Sequence, residues 1–123
     1  MGYHVIDPTD LDRTANRPSD MRDVSEAAAM ETMGLRVYYV DPGEDIPVSG
    51  MHYHDEQEEV FYVVDGALIV ETPDGTIDVP EGQFFIAGPE SPHRAHNPID
   101  ADGPIEVIAI GAPAVNDGHL YEG

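Results

Sequence analysis

Eight short runs of β-branched, aromatic and aliphatic residues, each four to seven residues long, punctuate the chain from residue 35 onward, at 35–40, 48–54, 59–64, 67–72, 76–79, 83–87, 93–97 and 104–110. Between them stand turn-forming clusters, among them Asp41-Pro42-Gly43, Asp65-Gly66, Pro73-Asp74-Gly75 and Pro80-Glu81-Gly82. Proline presets the backbone and glycine frees it where a chain reverses, so each run is predicted to be a strand and each cluster a connection. Many short strands at hairpin spacing with little helix predict an all-β antiparallel sandwich or barrel.

The ends are less regular. Residues 3–6 read as a short edge strand and 7–20 as a polar arm with two prolines. Residues 21–33 are expected to be irregular with at most one or two helical turns, since three alanines favour a turn of helix and Gly34 would stop it. Residues 111–123 read as a loose tail with a turn at Asn116-Asp117-Gly118. At 123 residues the chain has room for one domain. The expected division is an arm over 1–34, a barrel over 35–112 and a tail over 113–123.

Charge changes the picture more than hydrophobicity does. Twenty-five acidic residues face five basic ones, all arginine, for a formal net charge of -20. Self-repulsion of that size strains a small compact domain and is relieved by salt, whose screening length falls to about 3 Å near 1 M. Because the acids are spread along the whole chain and not gathered in a tail, the expectation is a salt-adapted, halophilic protein. The same charge argues against nucleic acid or an anionic membrane as a partner. With no cysteine there is no thiolate nucleophile, sulfur ligand or disulfide, and with no lysine no Schiff base or P-loop. No signal-peptide pattern opens the chain, Ile6 spoils a myristoylation match, and no apolar run approaches the roughly 20 residues of a membrane span. A soluble, cytoplasmic protein is expected.

Candidate chemistry concentrates in His52-Tyr53-His54, followed by Glu59. Alternation on a strand turns His52 and His54 to one face, where two imidazoles can meet one metal ion, and Glu59 opens the next strand from a position where its carboxylate can join them. Asp55, Glu56 and Glu58 fall in the connecting turn and read as a solvated acidic rim, with Glu58 replacing Glu59 only if the register slips by one. With Glu59 facing inward, Phe61 and Val63 face inward too, and Phe84 or Phe85 should add an aromatic wall. His4 and His119, in the terminal segments, read as partners of nearby acids. His96 lies three residues past His93 and faces the site only if the turn twists it inward.

His52-x-His54-x4-Glu59-x6-Gly66, followed by Gly82-x10-His93-x3-Asn97, resembles the two signature motifs of the cupin superfamily. The resemblance implies a single antiparallel jelly-roll β-barrel and one divalent metal ion per chain, held by His52, His54, Glu59 and His93. Phe61, Val63, Phe84 and His96 would then line the pocket. Two positions depart from the pattern: Ile46 stands where a glycine is expected, and Gly88, Pro89 and Glu90 reshape the turn before His93.

Three imidazoles and a carboxylate are borderline ligands suited to Fe, Mn, Zn or Ni, and in an octahedral ion they leave two adjacent positions open. That permits Lewis-acid or oxygen-activating chemistry on a small organic substrate, dioxygenase-like or isomerase-like. The alternative is a non-catalytic binding or sensing module that keeps the metal. No arginine cluster lies near the motif in sequence, so neutral or metal-chelating small molecules are the expected ligands. The resemblance also implies a homodimer, with the arm available for strand exchange.

Overall fold

The computed structural model describes residues 2–123. Its elements in chain order are β1 (Asp20–Asp23), α1 (Val24–Ala27), β2 (Gly34–Val40), β3 (Asp45–Ile46), β4 (His52–His54), β5 (Glu58–Asp65), β6 (Ala67–Thr72), β7 (Gly75–Pro80), β8 (Phe84–Ala87), β9 (Arg94–His96), β10 (Ile105–Ala112) and β11 (Gly118–Leu120), with a single 3-10 turn at Pro8–Asp10. All pairings are antiparallel. A five-stranded sheet runs β1-β2-β10-β5-β8 and a four-stranded one β3-β9-β6-β7, while β4 and β11 form a third pair. The expected all-β antiparallel barrel is what the chain forms.

Period-two alternation builds the interior. On β5 the buried residues are Glu59, Phe61 and Val63, and on β6 they are Leu68 and Val70. These close against Tyr38 and Val40 of β2, Val107 and Ala109 of β10, and Ala95 of β9 in one hydrophobic cluster. Phe61 is wholly buried and stacks on Phe85 at 6.1 Å between ring centroids. Truncating such a ring to alanine costs about 3–5 kcal/mol. Asn97, 1% exposed, donates from its amide to the carbonyls of Val40 and Gly103 at 3.0 and 2.9 Å, which ties the end of β2 to the loop before β10. Gly66 turns with φ +90, and a Cβ there would meet Ile105 Cγ2 at 2.3 Å, so the β5–β6 hairpin admits only glycine comfortably.

Both ends are more ordered than expected. Part of the arm pairs with the barrel: Asp20 to Asp23 register with Tyr39 to Arg36. The local sequence Asp-Met-Arg-Asp carries only one apolar residue, so the strand is imposed by the β2 edge and by Met21, 1% exposed, entering the core. Asp23 caps the one short helix by accepting from the Glu26 N–H at 3.0 Å. The edge strand expected at residues 3–6 does not form, and Tyr3 and Val5 are fully exposed. The tail supplies β11, which pairs with the histidine-bearing strand β4.

Candidate metal centre

Strand pairing delivers the histidines and the glutamate to one point. Alternation turns His52 and His54 inward from β4, and Glu59 enters from β5 at 6% exposure. His93 precedes β9 and bridges β4 directly, its backbone exchanging two hydrogen bonds of 2.9 Å with His52. Glu59 Oε1 lies 2.5 Å from His93 Nε2 and 3.4 Å from His52 Nε2, and its Oε2 lies 3.6 Å from His54 Nε2. One ligand atom each from His52, Glu59 and His93 falls within 4.8 Å of the others, a group that can hold a metal ion. Glu58 is exposed, so no register slip brings it in.

The surroundings fix how these rings present themselves. His93 Nδ1 lies 2.8 Å from the Ser91 carbonyl, which only accepts, so Nδ1 carries a proton and Nε2, turned to the centre, is the atom left to serve as a ligand. His54 Nδ1 lies 3.0 Å from Asp117 Oδ1, with the same consequence for its Nε2. That buried Nε2 has no hydrogen-bond partner, nor has either ring nitrogen of His52. Orphaned acceptors of this kind, grouped around one carboxylate, fit a divalent cation. Burial alone would raise the Glu59 carboxyl, but contacts from His52, His54 and His93 outweigh it and hold the group well below its ordinary value. The nearby Glu59 carboxylate raises the pKa of His54, burial opposes it, and Asp117 adds to the rise.

His52, His54 and Glu59 stand on the wall of a cavity of about 750 Å³. Met30, Met33, Val48 and Leu120 give it apolar lining, and Arg17, Arg36 and Tyr38 give it polar lining. The arginines correct the expectation of a site without cations. They come from the arm and from β2, distant from the motif in sequence and adjacent to it in space. Alternation on β2 was the available signal, since Arg36 shares the inward face of Tyr38 and Val40. For Asp117, sequence offered a turn and no hint of its partner.

None of the four expected pocket residues, Phe61, Val63, Phe84 and His96, lines the cavity. Phe84 is 62% exposed and stacks on Tyr62 on the outer face of the sheet, while its neighbour Phe85 takes the inward position, 5.6 Å from the His93 ring. His96 also faces outward. Along residues 93–97 His93, Ala95 and Asn97 point in, leaving His96 Nε2 3.5 Å from Glu71 and Arg94 bonded to Asp45 and Glu71. Phe61 packs edge-on to His93 at 6.2 Å, and Val63 lies in the core beyond it. Glu90, in the reshaped turn, adopts φ +62 and donates its N–H to the His54 carbonyl at 2.6 Å, fastening that turn to β4. His4 is exposed, and His119 pairs with Asp55 at 2.7 Å.

Residues 36–111 match the cupin domain, and the chain belongs to that family. Over 98% of its length it is 29% identical to a protein of Streptomyces cyaneus described as polyketide synthase CurC, of which it covers 78%. A Klebsiella pneumoniae protein with a double-stranded β-helix domain superposes with a TM-score of 0.76 at 20% identity, covering 99% of this chain and 100% of that one. The polyketide cyclase RemF of Streptomyces resistomycificus superposes with a TM-score of 0.73 at 19% identity, covering 98% of this chain and 89% of that one. Among the described residues no helix is long and apolar enough to cross a membrane.

Proposed function

We propose that this cupin is a mononuclear metal-dependent enzyme that promotes enolisation of a small aromatic or polyketide-like carbonyl compound, leading to cyclisation or isomerisation. The observation that carries this reading is the buried His52, Glu59 and His93 cluster, with His54 beside it, opening on a cavity large enough for a multi-ring molecule. Similarity along nearly the whole chain to a polyketide synthase protein, and in fold to a polyketide cyclase, supports the substrate class.

His52, His54, Glu59 and His93 would hold the ion, which when bound supplies Lewis acidity toward a carbonyl oxygen. The chain's own residues do the rest. Ser91 and Asp117 fix the ring tautomers, so no reorganisation is needed when a ligand arrives. Met30, Met33, Val48 and Leu120 offer apolar surface to the substrate's ring system. His119, on the cavity wall and bonded through Nε2 to Asp55, is placed to take a proton from a substrate carbon and return it.

The test uses 2′-hydroxyacetophenone, a chelating aryl ketone, in deuterated water. Protein purified with its native metal should carry near one ion per chain by elemental analysis and accelerate exchange of the methyl protons seen by NMR. A variant carrying His52→Ala and His54→Ala should lose both. Full metal occupancy in that variant would sink the ligand assignment. Bound metal without any acceleration of exchange would leave a binding module in place of an enzyme.

A further inference from the structure

The geometry points to an oxyanion subsite on the cavity wall formed by Arg17, Arg36 and Tyr38, which takes the carboxylate or enolate oxygen of a planar organic anion. This rests on the reading of the cavity as a substrate site and names the charge that its substrate carries. Tyr38 is wholly buried, its ring is part of the core cluster, and its hydroxyl has no hydrogen-bond partner. A buried phenol without a partner forgoes a hydrogen bond, unless a ligand supplies one. Tyr38 stands on the wall of the cavity that holds His52, His54 and Glu59, with its hydroxyl covered from solvent.

The arginines make an independent case. With 25 carboxylates and five arginines, every cation in this chain has acidic partners to spare. Arg22 and Arg94 behave accordingly, forking onto Asp20 and onto Asp45 with Glu71. Arg17 does not. Its guanidinium reaches the Pro47 carbonyl at 3.4 Å and forms no ion pair among the described residues. Arg36 holds Asp23 only loosely, at 3.4 Å, and its buried Nε has no hydrogen-bond partner. Two of the five cations thus line one cavity with donor capacity unspent. Burial pushes the Tyr38 phenol up to about 12, with the Arg36 and Arg17 charges pulling against it, so the hydroxyl remains a donor at any ordinary pH. In a chain of net charge -20, an anionic ligand needs such a local reversal of field to enter. Guanidinium with phenol offers planar donors suited to a carboxylate or enolate, and the methionine and leucine wall suits the ring system attached to it.

Isothermal titration with 2-naphthoate and its neutral counterpart 2-naphthamide tests the subsite, on zinc-loaded and on chelator-treated protein. In both forms naphthoate should bind about tenfold more tightly than naphthamide. Tyr38→Phe, Arg36→Met and Arg17→Met should each erode that preference severalfold while naphthamide affinity stays level, which also reports that the variant is folded. Arg17 lies outside the strands, so its variant stands even if a change in β2 disturbs the barrel. A preference that survives all three substitutions overturns the subsite, as does equal binding of the two probes or failure of both to bind. A preference present without zinc belongs to these residues whatever becomes of the metal reading. Loss of metal binding or of proton exchange, with the preference intact, would fault the proposed enzyme and leave the subsite standing.

Discussion

Asp117 offers the sharpest handle on the metal centre, because a single side chain from the tail does two jobs. Its Oδ1 faces His54 Nδ1 at 3.0 Å, and its Oδ2 accepts from the backbone N–H groups of Glu56 and Gln57 at 2.7 and 3.1 Å. Removing a partner that orients a metal-binding histidine typically costs 10–100-fold in metal affinity, about 1.4–2.8 kcal/mol. Asp117→Ala should therefore weaken zinc binding by that factor, and it should also lower the melting temperature because two N–H groups lose their acceptor. Asp117→Asn separates the two effects. Its amide oxygen can keep both backbone bonds, while its NH2 group faces His54 Nδ1 and favours the tautomer whose proton sits on Nε2, the nitrogen aimed at Glu59. The asparagine variant should melt closer to wild type yet bind zinc as poorly as the alanine variant. Chelator-competition titration and thermal melts followed by circular dichroism measure both quantities. Wild-type affinity in Asp117→Asn would refute the tautomer reasoning. So would an Asp117→Ala loss that persists undiminished in a His54→Ala background, because the two residues act through one nitrogen.

Three further outcomes are expected. Burial opposes ionisation of Asp45, but hydrogen bonds from Arg94 and from the Gly50 N–H outweigh it and lower its pKa from 3.8; the stabilisation is complete above that value and disappears as pH falls through the folded one. Arg94 is 35% exposed, so the pair contributes only about 1 kcal/mol, and Asp45→Asn should melt about 3–6 °C lower at pH 7 and converge with wild type in acid. If the -20 charge reflects salt adaptation, the melting temperature should climb steeply with KCl up to about 1 M, and a flat dependence would count against it. Phe84 and Ile86, 62% and 64% exposed on the outer face of β8, are the expected seat of a homodimer, so Phe84→Glu with Ile86→Glu should halve the mass seen by light scattering, and a monomeric wild type would remove the proposal.

Local patterns found the barrel and the centre of the site because those features are written in short-range periodicity. Most strands from residue 35 to 112, the hairpin at Asp65-Gly66 and the inward set Glu59, Phe61 and Val63 follow from period two and turn chemistry, whereas β3 lies outside the predicted strands and only the last three residues of the predicted strand 48–54 form β4. Phe84 and Phe85 could not be separated that way, since both suit a strand, and the pairing of Phe61 with Phe85 decided which faces inward. His96 followed strict alternation, and the twist that would have brought it inward did not occur. What stayed hidden was carried by long-range pairing of polar segments. Asp20 to Asp23 and Gly118 to Leu120 have little strand propensity, and only the open edges beside them make them strands. Asp117 and Arg17 therefore reach the site by routes that no local window contains, whereas Arg36 follows the alternation of β2.

The cavity itself depends on which strand stands between the two polar walls. β10 separates β2 from β5, and its register sets Ala109 opposite both Arg36 and Phe61, and Gly111 opposite both Gly34 and Glu59. Across that middle strand the inward positions are thus small where Arg36 and Gly34 on one side face Phe61 and Glu59 on the other. A Cβ at Gly111 would already approach the Gln57 side chain to 2.7 Å, and Gln57 is held across that strand by its bond to the Pro113 carbonyl at 3.0 Å. One row further in, Val107 stands between Tyr38 and Val63, all three fully buried, and the barrel is solid. A packed interior normally leaves no such void, because each methylene removed from a core forfeits contacts. Here the void falls between a carboxylate ringed by imidazoles and a phenol beside two guanidiniums, groups that are costly to bury without partners. Ala109 and Gly111 leave the row between Arg36 and Glu59 short of side-chain bulk. The same alternation that builds the core therefore also sets the shape of the site.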